Sequence, residues 1–148
     1  MALAESPAAF GESPEEHGQT TVADFERRLA ATPDASFVYA AFDGDRMVGT
    51  AGLYRESRIR RRHRALVWGV FVDPAWRGQG IARRLLDGLI EEARRIPDLE
   101  QLILDVSVGQ QPARSVYAAV GFRSLGIVPR ALRVGDQYHD EERMLLEL

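Results

Sequence analysis

The sequence predicts a single α/β (α+β) domain spanning residues 1–148. Three observations lead there. Runs rich in β-branched and aromatic residues alternate with stretches of helical apolar period. The run "ALVWGVFV", Ala65 to Val72, is nearly all apolar, as a central strand covered on both faces should be. The chain of 148 residues is 45% hydrophobic and 28% charged, which suits one core and one domain.

The elements follow in order. The first twenty residues mix Ala, Gly, Ser, Pro and Glu, and predict a short helix around Pro7 to Phe10 and then a loop. A helix is expected from Thr21 to Ala31, with Val22, Phe25 and Leu29 on one face. Phe37 to Phe42 reads as a strand, Asp43 to Asp45 as a tight turn, and the segment to Tyr54 as the returning strand. Arg55 to Arg64 is a basic connector into the strand ending at Val72. Ile81, Ala82, Leu85, Leu86, Leu89, Ile90 and Ala93 form a broad apolar stripe, predicting a helix from Gly80 to Arg95. On its wet side Glu91 precedes Arg95 by four residues, the favourable order for a helical ion pair. Pro97 and Asp98 end it, and "QLILDVSV" is the next strand. A helix from Pro112 to Val120 closes at Gly121. "FRSLGIVP" and "QYHDEERMLLEL" are the last strands, with Gly126, Pro129 and Gly135 punctuating the stretch between them.

Composition removes several kinds of chemistry. With no cysteine, there are no disulfides, thiol nucleophiles or zinc–thiolate sites. Three dispersed histidines make no metal spacing, so no metal is expected. Every side-chain cation that is not histidine is arginine, which excludes a lysine Schiff base and a P-loop lysine. A formal charge of −3 speaks against general nucleic-acid binding. No apolar run approaches a bilayer-spanning length and the N-terminus lacks a secretion pattern, so no membrane partner and a cytoplasmic location are expected.

The chemistry centres on Arg77-Gly78-Gln79-Gly80-Ile81-Ala82, where a strand gives way to a helix. The first amides of a helix lack carbonyl partners and carry partial positive charge, and glycine lets an anion approach them. Amides from Gln79 to Ala82 would cradle a pyrophosphate, with Arg77 adding charge at the rim. A dinucleotide fingerprint fails, because Arg83 stands at the third glycine and five residues separate Val72 from Gly78. A bare Gly-x-Gly also fits a flexible strand–helix turn, and that alternative stays open at this point.

The Arg77 to Ala82 segment resembles the Gln/Arg-x-x-Gly-x-Gly/Ala signature of the GNAT family of N-acetyltransferases. "ARSVYAAVGF" resembles that family's later Ala-x-x-x-Tyr-x-x-x-Gly-Phe segment, and "RMLLEL" its closing strand. The resemblance covers Phe37 to Leu148 in the family's order. It implies a mixed, mostly antiparallel sheet with helices on both faces and a splay between the family's fourth and fifth strands, here "ALVWGVFV" and "QLILDVSV". It also implies acetyl-CoA as cosubstrate, with the diphosphate on the helix start and the pantetheine arm pairing strand-like with main-chain groups of Val70, Phe71 and Val72. The Val70 amide would donate to the developing oxyanion. Tyr117 matches the family tyrosine beside the thiol sulfur, a proton donor to the leaving thiolate. Gln110 stands where the family often has asparagine, contacting the same arm with one more methylene.

The family often carries a base glutamate on its fourth strand, but "ALVWGVFV" has no carboxylate. Glu56, His63 and His139 are the alternatives nearest in sequence, and an amine deprotonated by ordered water needs none of them. The arginines from Arg58 to Arg64 fit a solvated loop better than an anion site. Trp68 walls an acceptor pocket or fills core, and Tyr138, His139 and Asp140 lie near where the family's acceptor enters. The family's first strand has no counterpart before Phe37, and an uncovered sheet edge invites pairing into a homodimer. The expected reaction is acetyl transfer to the primary amine of a small molecule by direct attack in a ternary complex. The alternatives are a protein N-terminal or side-chain acetyltransferase and a catalytically silent acyl-CoA-binding regulatory module.

Overall fold

The computed structural model describes residues 14–19, 21, 23 and 34–148. The helices expected at Pro7 to Phe10 and at Thr21 to Ala31 fall outside them, the second all but Thr21 and Ala23. Where a loop was expected, helix α1 spans Pro14–Gln19. Proline at its first position and Glu15 and Glu16 in its first turn suit a helix start.

Among the described residues six strands form one sheet: β1 (Ser36–Asp43), β2 (Arg46–Arg55), β3 (Arg64–Val72), β4 (Gln101–Ser107), β5 (Arg123–Val134) and β6 (Gln137–Glu147). Their order is β1-β2-β3-β4-β6-β5. All neighbours are antiparallel except β3 and β4. That parallel pair is short, with Arg64, Ala65 and Leu66 facing Gln101, Leu102 and Ile103. Beyond them β4 pairs only with β6, and β3 only with β2, so the sheet forks. The fork is the expected splay, and the sheet is mixed and mostly antiparallel as expected.

Helix α2 (Ile81–Ala93) forms because its apolar residues fall on one face. Ile81, Leu85, Leu86, Leu89, Ile90 and Ala93 are all buried. It packs on β1, β2 and β3 and touches helix α3 (Gln111–Ala119). The expected ion pair between Arg95 and Glu91 is present at 2.7 Å. The core joins this stripe to Leu53 and Val67 of the sheet and, beyond the fork, to Leu102, Leu104, Met144 and Leu146.

The closed end of the fork is tied by Arg55. Its side chain is buried and donates to the carbonyls of Arg62, Asp34 and Pro97. β5 differs from expectation. It runs past Pro129, where the expected strand ended, to Val134, with irregular register between Val128 and Leu132, and the turn falls at Gly135 and Asp136. Proline is tolerated there because β5 is an edge strand and an amide on the solvent side has no partner to lose.

Candidate active site

At the open end of the fork the chain leaves β3 at Val72 and turns. Asp73 accepts from the Ala75 amide at 3.0 Å and from Arg46 at 2.7 Å. Those two donors, the amide first, hold its carboxyl below the usual carboxylate range. Pro74 then opens a single tight turn through Trp76. Gly78 and Gly80 follow with φ of 77° and 74°, a conformation that side chains with a Cβ adopt only under strain. Both point into open space, with nothing within 4 Å of an added Cβ.

Gly80 is the N-cap of α2 and offers no side-chain acceptor to the helix. The first amides, of Ile81, Ala82 and Arg83, are therefore left without helical partners. No acidic residue lies in the first turn to neutralise them. Because the helix begins at Ile81, its open amides coincide with the expected set of Gln79 to Ala82 at Ile81 and Ala82 and add that of Arg83. Gln79 is exposed in the turn and does not line the cavity in front of it.

That cavity measures about 310 Å³. Of the expected residues, Val70, Phe71, Val72, Arg77, Gly78 and Gly80 line it. Ile81, Ala82 and Tyr117 complete the expected lining. Gln110 does not line it but caps α3, placing Pro112 and Ala113, which do. Sequence reasoning missed Trp76 in the turn as lining, and on the helices it missed Arg83, Pro112, Ala113 and Val116. The signal of those on the helices was the helical period of each motif, which turns neighbours of a site residue toward the same space.

The Asp73 amide donates to the Val48 carbonyl, so Asp73 faces β2. By strand alternation the main-chain groups of Val72 and Val70 face away from β2, into the fork. Arg77 Nε donates to the Val72 carbonyl at 3.0 Å, and its guanidinium lies 5.9 Å from the Phe71 ring. Arg77 thus fastens the turn to the strand end and brings its charge to the cavity wall. A bulge precedes this segment, with Gly69 at φ 59° and the β2–β3 register shifted between Thr50 and Gly52.

Tyr117 projects from α3 into the same cavity. It is 8% exposed and meets Phe122 edge-on at 6.1 Å. Burial pushes its phenol up to about 12. A phenol of that pKa holds its proton throughout the neutral range and serves as a donor.

The fold also sorts the other candidates. Glu56 and His63 sit at the closed end, where the Glu56 amide bonds Arg64 and the His63 carbonyl bonds Glu100 and Gln101. That end lies about 26 Å from Val72 along β3, at roughly 3.3 Å per residue, and the arginines from Arg58 to Arg62 lie there too. His139 is at the open end, opposite Leu132 in the β5–β6 hairpin. Ala65 and Val67 are buried in the core with α2, so Leu66 and Trp68 point to the other face. There the Trp68 ring lies over Gly52, 2.6 Å from where a Cβ would stand. Among the described residues no group of three His, Cys, Asp or Glu is placed to hold a metal, and no helix is long and apolar enough to cross a membrane.

Comparison with known proteins adds to this geometry. The sequence pattern of the Acetyltransferase (GNAT) family matches residues 3–122, starting well upstream of Phe37. The chain is 34% identical over 113 residues to L-amino acid N-acetyltransferase AaaT of Escherichia coli, covering 76% of this chain and 68% of that protein. It is 37% identical over 112 residues to N-alpha-acetyltransferase RimI of Mycobacterium tuberculosis, covering 76% and 66%. Each match thus spans about two thirds of the relative's own length. Among solved structures, yncA of Salmonella typhimurium with its cofactor acetyl-CoA superposes at a TM-score of 0.78. That match has 22% identity and covers 95% of this chain and 79% of the other.

Proposed function

The chain belongs to the GNAT family of acetyltransferases, and on that premise we propose that it transfers the acetyl group of acetyl-CoA to the primary amine of a small molecule, by direct attack in a ternary complex. The observation that carries this reading is the uncapped start of α2 at the mouth of the β3–β4 fork. An anion site and a strand-thin slot there share one cavity.

Acetyl-CoA supplies an activated thioester. The residues fit it: amides of Ile81, Ala82 and Arg83 face an anion, two glycines leave it room, and the β3 edge is unpaired where the arm would lie. The Val70 amide, turned into the fork, stabilises negative charge on the carbonyl oxygen. The Tyr117 phenol, protonated at every working pH, gives its proton to the departing sulfur. An enzyme rather than a silent binding module is supported by that buried phenol at the cavity wall. The similarity to an enzyme named for L-amino acids supports a small acceptor. A second reading, transfer to a protein N-terminus, is supported by the similarity to RimI.

Calorimetric titration with acetyl-CoA tests the premise. The wild type binds, and Gly80→Glu weakens binding at least a hundredfold, because a carboxylate placed against a diphosphate costs several kcal/mol. Thiol release is then followed with L-amino acids, spermidine and a short alanine-initiated peptide. Turnover of the small amines supports the first acceptor reading, and turnover of the peptide alone supports the second. No acetyl-CoA binding, or binding without turnover of any amine, would overturn the transferase reading.

A further inference from the structure

The fork passes through the sheet, and α2 and α3 cover only one of its faces. On that face Leu102, Leu104 and Val106 of β4 stand opposite Leu146, Met144 and Glu142 of β6. The apolar members share the core with Tyr117, and Glu142 pairs with Arg114 of α3. The alternate residues point to the other face: Asp105 and Ser107 of β4, opposite Arg143 and Glu141.

The carboxylates of this region are not equivalent. Asp105 is held by Arg143 in a two-pronged pair, both contacts at 2.8 Å. Glu142 is held by Arg114, Glu147 by Arg123, and Asp140 accepts the Arg130 amide. The Glu141 side chain makes no hydrogen bond or ion pair among the described residues, although the residue is half-buried. It stands at the last pair of β4 and β6, level with the open end of the fork. In strand order only β4 lies between it and the slot, and the β4 residue beside it is Ser107, which is small and itself buried.

We infer that Glu141 is the general base of the transfer, receiving a proton from the acceptor amine as it enters the fork from the face opposite the cofactor. This rests on the transferase reading above and assigns the one role that reading leaves empty. The acceptor's ammonium loses one N–H proton to a Glu141 oxygen, and the freed lone pair forms the C–N bond as the C–S bond breaks. The thiolate takes the Tyr117 proton, and the second N–H proton, released as the amide forms, restores the phenol. Glu141 returns its proton to solvent. Its surroundings suit the task. Burial first, and then the Asp105 charge, raise its pKa, against a smaller lowering by Arg143. His139 lies two residues before it, and β5 brings the uncharged Val128 opposite.

Glu141→Gln tests this with little change of shape, and Glu141→Asp serves as the conservative variant. Acetyl-CoA binding to both is expected to match the wild type by calorimetry. With the amines named above, Glu141→Gln should lower kcat/KM near neutral pH at least about a hundredfold, the lower range for a positioned base. The acidic limb of its pH profile should move up to the pKa of the free amine, while Glu141→Asp keeps a carboxylate limb at an intermediate rate. A purely structural residue would not move that limb. If Glu141→Gln keeps the wild-type rate and limb while acetyl-CoA binds and the wild type turns over, this inference alone falls. If the wild type does not bind acetyl-CoA or turns over no amine, the transferase reading falls and this inference falls with it.

Discussion

The phenol of Tyr117 lies edge-on to Phe122 in a mainly apolar wall, and burial moves its pKa to about 12. It therefore remains a proton donor well above the pH at which an exposed tyrosine ionises. Tyr117→Phe is expected to lower kcat at least about a hundredfold, within the range for a general acid, with acetyl-CoA affinity unchanged. Steady-state kinetics beside calorimetry separates the two effects, and equal turnover in the variant would remove the assigned role. Tyr117 was singled out in the sequence through its resemblance to a family segment, and the α2 start through its strand–helix junction. Glu141 was not. Its setting is made by Asp105 and Arg143, 38 residues apart in sequence, and by a register that no single segment encodes. Glu56 and His63 were misleading for the same reason, since closeness along the chain put them at the wrong end of β3.

The elements were legible where one physical signal dominated. The α2 stripe has a clean helical period, and six of its residues are buried as the pattern requires. Leu89 is fully buried in it. Leu89→Ala should destabilise the fold by about 2–5 kcal/mol, the cost of lost burial plus a residual cavity. Urea denaturation reads this directly, with acetyl-CoA affinity unchanged under native conditions. A loss below 1 kcal/mol would mean that the core around α2 closes over the gap. β5 was read too short because Pro129 is an ordinary stop signal. It fails here because an edge strand has one side that pairs with nothing, so a missing amide and an irregular register cost little. The Arg83 amide at the start of α2 was missed for another reason, since helix ends are set by backbone angles at single glycines.

At the scale of the molecule, charge pairs link α3 and the turn after β3 to the sheet. Hydrogen bonds from Arg114 and Ser124 hold Glu142 below its ordinary pKa, and Asp73 is lowered by the Ala75 amide and Arg46. A lowered folded pKa adds stability that is present above the unfolded value and is lost as pH falls through the folded one. The melting temperature should therefore hold down to about pH 5 and fall below it, near the ordinary carboxylate range. Glu142→Gln should lower the plateau and flatten that fall. Glu141 has the opposite sign: its raised pKa costs stability once it ionises. Glu141→Gln should thus melt higher at neutral pH, and scanning calorimetry of the three proteins across pH checks both signs. The strand order, with its one parallel contact, was legible only through resemblance to a known family. Hydrophobic pattern alone does not say which neighbours pair.

β3 and β4 touch at three residue pairs and then part. A passage of this kind has two mouths, each furnished by different parts of the chain. One mouth is built from the starts of two helices, the other from a hairpin and the underside of the strands. On the proposed reading, substitutions that reshape the second mouth leave the first intact, so a lineage would trade one acceptor for another while keeping its grip on the donor.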